Sequence, residues 1–249
     1  MVAGSGLWVP GHAAGSVVSD TLDDAKLYFT APLRWDADDW AYFGGTMLAI
    51  GAAHEYDDNV RRHFGTIVTA DAANPDPHES RDWGPALGMI GLTWAYATLI
   101  DNRDGYDEGR AMLESAAFSA TSAALLKLAA GRARPNETSN VDDWRRSGSS
   151  FPSMHVSVTF AVGAVLAESG NEEYRWVRRV LGYGLAAGVA YSRVHDGQHW
   201  LSDVVAGAAL GAATGNFIVN RHEERHQRYA FGIAPVDSGA MITYTFVPH

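Results

Sequence analysis

Apolar residues in this chain recur mostly at helical spacing, and polar residues gather in short clusters between them. Trp40, Phe43, Met47 and Ile50 stand three and four apart, one face of a helix, and predict a core stripe on a helix capped by Asp36 or Asp38. Before it, residues 20–29 read as a short helix opened by Asp20 or Thr21 and closed by Pro32, with residues 1–20 an irregular arm. The charged stretch 55–62 suits a turn and a short solvated helix, and the Pro/Asn/Asp content of 71–77 marks a loop. A long helix follows over 80–100, with Pro85 tolerated near its start, and then a turn at 102–105. The next helix is expected over 107–133, stopped by Pro135, because the residue before a proline is pushed out of helical geometry. Residues 136–151 form a polar loop. Further helices are predicted from Pro152 to about Glu168, broken at Gly170, then over 172–193 and 199–222. Met241, Thr243 and Thr245 alternate with Ile242, Tyr244 and Phe246, which predicts a short strand in a non-helical tail over 232–249. No repeat and no long linker divides the chain, so the expectation is one all-α domain over 1–249 with a short β-like C-terminal tail.

Composition narrows the classes. A chain of 249 residues with 47% apolar and 19% charged content is ordered and large enough for a sizeable core. A net charge of −10 argues against nucleic acid and against lasting adhesion to an anionic membrane surface. The absence of cysteine removes disulfides, thiol catalysis and thiolate metal sites. Residues 1–15 lack the basic start and continuous apolar core of an export signal, so none is visible. Residues 83–100 and 204–220 carry no charge and come near the lower length limit for crossing a bilayer. Both contain glycine, threonine or asparagine, and the mean hydropathy is only −0.13, which favours a soluble helical core over an integral membrane one.

Three polar clusters stand out between residues 127 and 203. The first is Lys127 with Arg134-Pro135. Seven residues are nearly two turns, which would place both cations on one face at the end of a helix, where the dipole favours them. From 127 to 146 five basic residues face three acidic ones in an otherwise acidic chain, which suggests a small anion as ligand. The second is Pro152-Ser153-Met154-His155. A proline at the entry of an apolar helix leaves free N–H groups that suit phosphate, and His155 follows in the first turn. The third is Ser192-Arg193, then His199, then Asp203. Gly197 allows a break after Arg193, and a helix starting at His199 would bring Asp203 beside it to fix the imidazole tautomer. Taken singly, each cluster also fits a solvated helix end or an ordinary serine cap. The spacing of His195, His199 and Asp203 is, besides, that of metal ligands on one helix, although Gly197 and the nearby Arg193 oppose that reading.

Together the clusters read K-x6-RP, PS-M-H and SR-x5-H-x3-D, with gaps of 16 and 36 residues between them. This resembles the three-part signature of the type 2 phosphatidic acid phosphatase superfamily, which includes bacterial class A acid phosphatases and vanadate haloperoxidases. The resemblance implies a helical bundle of the phosphatase/haloperoxidase type. It also implies metal-independent hydrolysis of phosphate monoesters, or of lipid or isoprenoid (pyro)phosphates, with no cofactor. By the same resemblance His199 would form a phosphohistidine, Asp203 would orient it, and His155 would protonate the leaving oxygen. Lys127, Arg134, Ser153, the Met154 backbone and Arg193 would hold the phosphoryl oxygens. Met154 departs from the family's usual glycine, which bears on substrate range. Trp144, Arg145, Arg146 and His195 are candidates for the pocket rim, and Trp200 for core packing. The expected partner is a small phosphorylated substrate or a lipid phosphate, with transient membrane contact, no nucleic acid and no signal for an oligomeric state. The family's bacterial members point to the periplasm or another exported location. The same pocket could instead hold vanadate for haloperoxidase chemistry, for which the chain is short, or bind an anion without turnover.

Overall fold

The computed structural model describes residues 14–65, 81–100, 103–144, 148–170, 172–236 and 239–246. Where one domain over 1–249 is expected, the chain falls into two compact units, Met1–Asp36 and Ala37–His249. The first holds helix α1, Ala14–Phe29, and a 3-10 turn, Ala31–Leu33. Residues 14–20 are therefore helical, which corrects the irregular arm expected over 1–20. From Ala14 to Phe29 there is no proline, and the one glycine, Gly15, lies in the first turn, where the cost is small. Arg34 closes the unit's end by donating to Leu27 O (2.5 Å) and Thr30 Oγ1 (3.1 Å).

The second unit carries α2 (Ala37–Glu55), α3 (Asp57–His63), a 3-10 turn (Arg81–Trp83), α4 (Gly84–Ile100) and α5 (Arg103–Ala130). Then come α6 (Met154–Glu168), a 3-10 turn (Glu172–Tyr174), α7 (Arg175–His195) and α8 (Leu201–Arg228). The chain continues into an antiparallel pair, β1 (Tyr229–Val236) and β2 (Gly239–Phe246), with Tyr229 opposite Phe246. A single strand is what the alternation predicts; the backbone pairs two.

Helix α6 is the centre. It packs on α4, α5, α7 and α8, and most of its 15 residues are buried. Its composition explains this: a helix apolar on all sides finds no solvent face and goes inside. Small residues let its neighbours approach. A Cβ added at Gly207, Gly211 or Gly215 of α8 would stand 2.6, 2.1 or 2.5 Å from a carbonyl oxygen of Ser153, Ser157 or Ala161. These glycines recur every fourth residue, so one glycine face of α8 lies directly on the backbone of α6. Gly163 of α6 and Gly182 of α7 meet in the same way, each with a Cβ position within 2.6 Å of the other's carbonyl oxygen.

Two expectations are corrected. Helix α5 ends at Ala130, not at 133, because Gly131 adopts φ +57° and its N–H closes on Lys127 O at 2.9 Å. Lys127 and Arg134 therefore do not share a continuous helix face; Arg134 lies on the extended segment beyond Gly131. The stripe on α2 is likewise not core: Trp40, Phe43 and Met47 are exposed, and the helix buries Ala53 instead.

On α4 and α7 too, several large apolar side chains face outward. Helix α4 buries Ala86, Met89 and Ala97 but exposes Leu87, Leu92 and Leu99, the last by 84%. Helix α7 exposes Trp176, Val180, Leu181, Leu185 and Tyr191. That surface is unlike the solvated exterior expected of a soluble core. Among the described residues, α8 is the one helix long and apolar enough to cross a membrane, over Leu201–Arg225, and more than half of it is buried within the fold.

Candidate active site

The site forms where the C-terminal ends of α5 and α7 meet the N-terminal ends of α6 and α8. Helix α7 delivers Arg193 in its last turn. The chain then leaves the helix: Gly197 takes φ +67°, and the N–H groups of Gln198 and His199 both donate to Arg193 O, at 3.1 and 3.2 Å. This tight turn ties His199 to Arg193 before α8 begins. Trp200 pins its far side, fully buried and donating through Nε1 to Ala133 O at 2.8 Å. Asp203, in the first turn of α8, accepts the Trp200 N–H at 2.9 Å, the acidic half of a capping box. His199 thus precedes the helix instead of lying on it, and its Nδ1 is 3.6 Å from Asp203 Oδ2. That is ion-pair range and too long for a hydrogen bond.

Helix α6 brings the second cluster. The Ser153 N–H donates to Asp203 O at 3.0 Å, which joins the N-termini of α6 and α8. The Ser153 hydroxyl does not cap its own helix. His155 is buried, with its ring centroid 4.1 Å from that of Trp83. Ser153 Oγ, His155 Nε2 and His199 Nδ1 are all buried without a hydrogen-bond partner. Buried polar atoms are normally paired, so these three leave hydrogen-bonding capacity for a ligand.

The cations come from three segments. Lys127 Nζ donates to Ser149 O and, at 3.3 Å, to Ser150 O. Arg134 donates to Gln198 Oε1 at 2.9 Å and to Ser149 Oγ at 3.4 Å. Arg193, fully buried, donates to Asp82 Oδ2 at 2.7 Å, and the Ser192 hydroxyl donates to the other oxygen of Asp82 at 3.2 Å. Asp82 and Trp83 sit in the turn before α4 and carry no motif that would have flagged them.

Electrostatics follow from this packing. Burial lowers the pKa of His199 well below its ordinary value, and the charges of Lys127, Arg134, Arg193 and His155 push the same way. His155 is lowered to about 4 by burial, then by Arg193, with Asp82 opposing and Arg134 and Lys127 adding. Lys127 is lowered to about 8 by burial and by Arg134, with Asp203 opposing. Burial raises Asp203, against the guanidinium of Arg132, the Ser150 hydroxyl and the Trp200 N–H. Burial and the charges of Lys127, Arg134 and Arg193 thus all favour the neutral form of both imidazoles, an arrangement suited to an incoming oxyanion.

Other candidates fall elsewhere. His195 ends α7, where its Nδ1 lies 2.8 Å from Asp196 and its ring meets Phe64 and Tyr191. The metal reading required His195, His199 and Asp203 on one helix, and the break at 196–200 removes that geometry. Trp144 stacks over the Arg132 guanidinium, 4.5 Å from ring centroid to Cζ, and edge-on to Phe151. Arg145 and Arg146 lie outside the described residues. Arg132, absent from the motifs, is buried between Asp203 and a second buried carboxylate, Asp57.

Comparison with known proteins adds three findings. The sequence model of the PAP2 superfamily matches residues 108–227. Over 89 residues the chain is 33% identical to a lipid A 1-phosphatase of Porphyromonas gingivalis, covering 36% of this chain and 18% of that protein's length. The fold resembles the crystal structure of a transmembrane PAP2-type phosphatidylglycerolphosphate phosphatase from Bacillus subtilis. The TM-score is 0.50 at 18% identity, over 76% of this chain and 98% of that one.

Proposed function

We propose that this chain, whose residues 108–227 belong to the PAP2 superfamily, is a membrane-associated phosphatase that removes phosphate from lipid phosphates at the periplasmic or another exported face. The observation that carries the reading is the buried His199 flanked by Asp203 and acted on by three cations. A neutral imidazole is a nucleophile, and Lys127, Arg134 and Arg193 oppose the charge that builds on the phosphoryl oxygens. The His199 Nε2 lone pair forms the N–P bond as the ester O–P bond breaks. His155 gives its proton to the departing oxygen. His155 is kept neutral first by burial and then by Arg193, Arg134 and Lys127, and the bound anion offsets those charges. His155 then takes a proton from water, whose oxygen forms the new O–P bond as the N–P bond of the phosphohistidine breaks. No metal is needed in either step. The Ser153 hydroxyl and the Met154 N–H, at the start of α6, suit the phosphoryl oxygens as well.

Lipid substrates are favoured by the outward apolar faces of α2, α4 and α7 and by the activities of the two similar proteins. The test is phosphate release from phosphatidic acid, phosphatidylglycerolphosphate and a lipid A phosphate presented in mixed micelles, with soluble monoesters for comparison. Release from at least one lipid, absent from His199→Ala, is expected. Vanadate-dependent bromination without any phosphate release would replace this reading by haloperoxidase chemistry.

The Lys127 environment adds a pH prediction. Its ammonium is present below about pH 8 and lost above it, so kcat/KM falls as pH rises through that value. Lys127→Arg, which stays charged throughout, moves this alkaline limb upward. An unmoved limb assigns the titration to another group.

A further inference from the structure

Arg132 follows directly on the turn at Gly131 and is fully buried. Nη1 donates to Asp203 Oδ1 at 2.7 Å and to Ser202 Oγ at 2.8 Å. Nη2 donates to Asp57 Oδ2 at 2.8 Å and Val141 O at 2.9 Å, and lies 3.1 Å from His54 Nδ1. Asp57, 1% exposed, also accepts the Ser202 N–H at 2.9 Å and the Ser202 hydroxyl at 2.6 Å. The rings of Trp144 and Trp200 lie 4.5 and 5.2 Å from the guanidinium carbon. One rigid fork thus joins two buried carboxylates, and these hydrogen bonds all go to protein groups. On Asp203 the division of labour is clear. Oδ1 is tied to Arg132, while Oδ2 takes the Ser150 hydroxyl and the Trp200 N–H and faces His199.

We propose that Arg132, clamped from behind by Asp57, is a positioning residue that keeps Asp203 ionised and turned with Oδ2 toward His199. The proposal rests on the phosphatase reading for its effect on rate, but not for its electrostatics. An aspartate buried beside a histidine gains a proton readily, because burial disfavours its charge. The groups facing Asp203 are His199 before α8, Lys127 from α5 and the Arg132 guanidinium; Asp57 of α3 and His54 of α2 act on it through Arg132. Of these, only the Arg132 guanidinium donates a charged hydrogen bond to the carboxylate. Asp57 accepts from the other nitrogen of the guanidinium and so fixes the fork with Nη1 toward Asp203, the geometry a buried ion pair must hold.

The experiment uses the full chain in detergent micelles. Arg132→Gln is compared with wild type for kcat, KM, the pH profile of kcat, thermal unfolding and the 13C titration of the Asp203 carboxyl. The expected result is a kcat lower by about 100-fold with KM within about 3-fold, and an acid limb of kcat displaced upward by about one pH unit or more. The Asp203 titration moves upward with it. Arg132→Lys keeps the charge without the fork and recovers part of the rate. If Arg132→Gln alone does not fold, Arg132→Gln with Asp57→Asn removes one buried charge of each sign and is read in its place. A folded variant with the wild-type Asp203 titration and an unmoved acid limb overturns the proposal. So does a rise in KM without a fall in kcat, which would make Arg132 a phosphate ligand. Failure of the phosphatase reading is separate: wild type then releases no phosphate, and the Asp203 titration still decides the role of Arg132.

Discussion

His199→Ala lowers phosphate release by at least about 10⁴-fold, the scale expected when a covalent nucleophile is removed. The protein still folds, because His199 makes no side-chain hydrogen bond that the fold depends on: its Nδ1 is unpartnered and 3.6 Å from Asp203. The backbone that holds the turn, His199 N–H to Arg193 O, is kept in the variant. The cations stay in place, so orthovanadate still binds, though more weakly. The checks are single-turnover phosphate release, and acid-labile 32P retained on the wild-type chain after quenching but absent from the variant. A variant with more than a few per cent of wild-type turnover would remove His199 from the nucleophile's role and leave it an electrostatic one.

Gly211→Val disrupts the fold more than any exposed substitution. A Cβ at Gly211 stands 2.1 Å from Ser157 O and 2.8 Å from the Phe160 Cβ, far inside contact distance, and the nearest obstacle is backbone. Helix α6 cannot yield without moving against α5, where the Ser157 and Ser119 hydroxyls meet at 2.6 Å. The expected cost is about 3 kcal/mol or more, the upper part of the overpacking range, or roughly a 10 °C loss in Tm for a chain of this size. Activity falls as well, because separating α6 from α8 stretches the Ser153 N–H to Asp203 O bond that joins the two clusters. Gly184→Ala is the control: nothing lies within 4 Å of its added Cβ, and its Tm stays near wild type. Equal melting of the two variants would show that the glycine face of α8 is not under steric constraint.

The helical fold and the three clusters were legible because each is a short-range property. Helical spacing, proline stops and glycine breaks act within a few residues, and so does the sequence Pro-Ser-Met-His at the start of α6. Misreadings arose where a local rule had a competitor. Pro135 marks where α5 could not continue, but Gly131 ended it first by taking a left-handed φ. On α2, the spacing of Trp40, Phe43 and Met47 correctly places them on one face but says nothing about the medium that face meets. The buried position on this helix is Ala53, whose small size gives no strong periodic signal.

Asp57, Asp82 and Arg132 were not legible at all. Asp57 lies 145 residues from the Ser202 it binds, and Asp82 lies 111 from Arg193. A lone aspartate has no spacing to betray it; its role exists only once a distant guanidinium is brought within 3 Å. The chain by itself thus determined which chemical groups are present and, for Lys127, His155, Arg193 and Asp203, which helices carry them, since residue type and periodicity are local. Only the packing of α5 to α8 decided which charges share one buried space, which carboxylate faces which cation, and how far each imidazole is driven from its ordinary pKa. Those are properties of distance and desolvation, and neither is written in the order of residues.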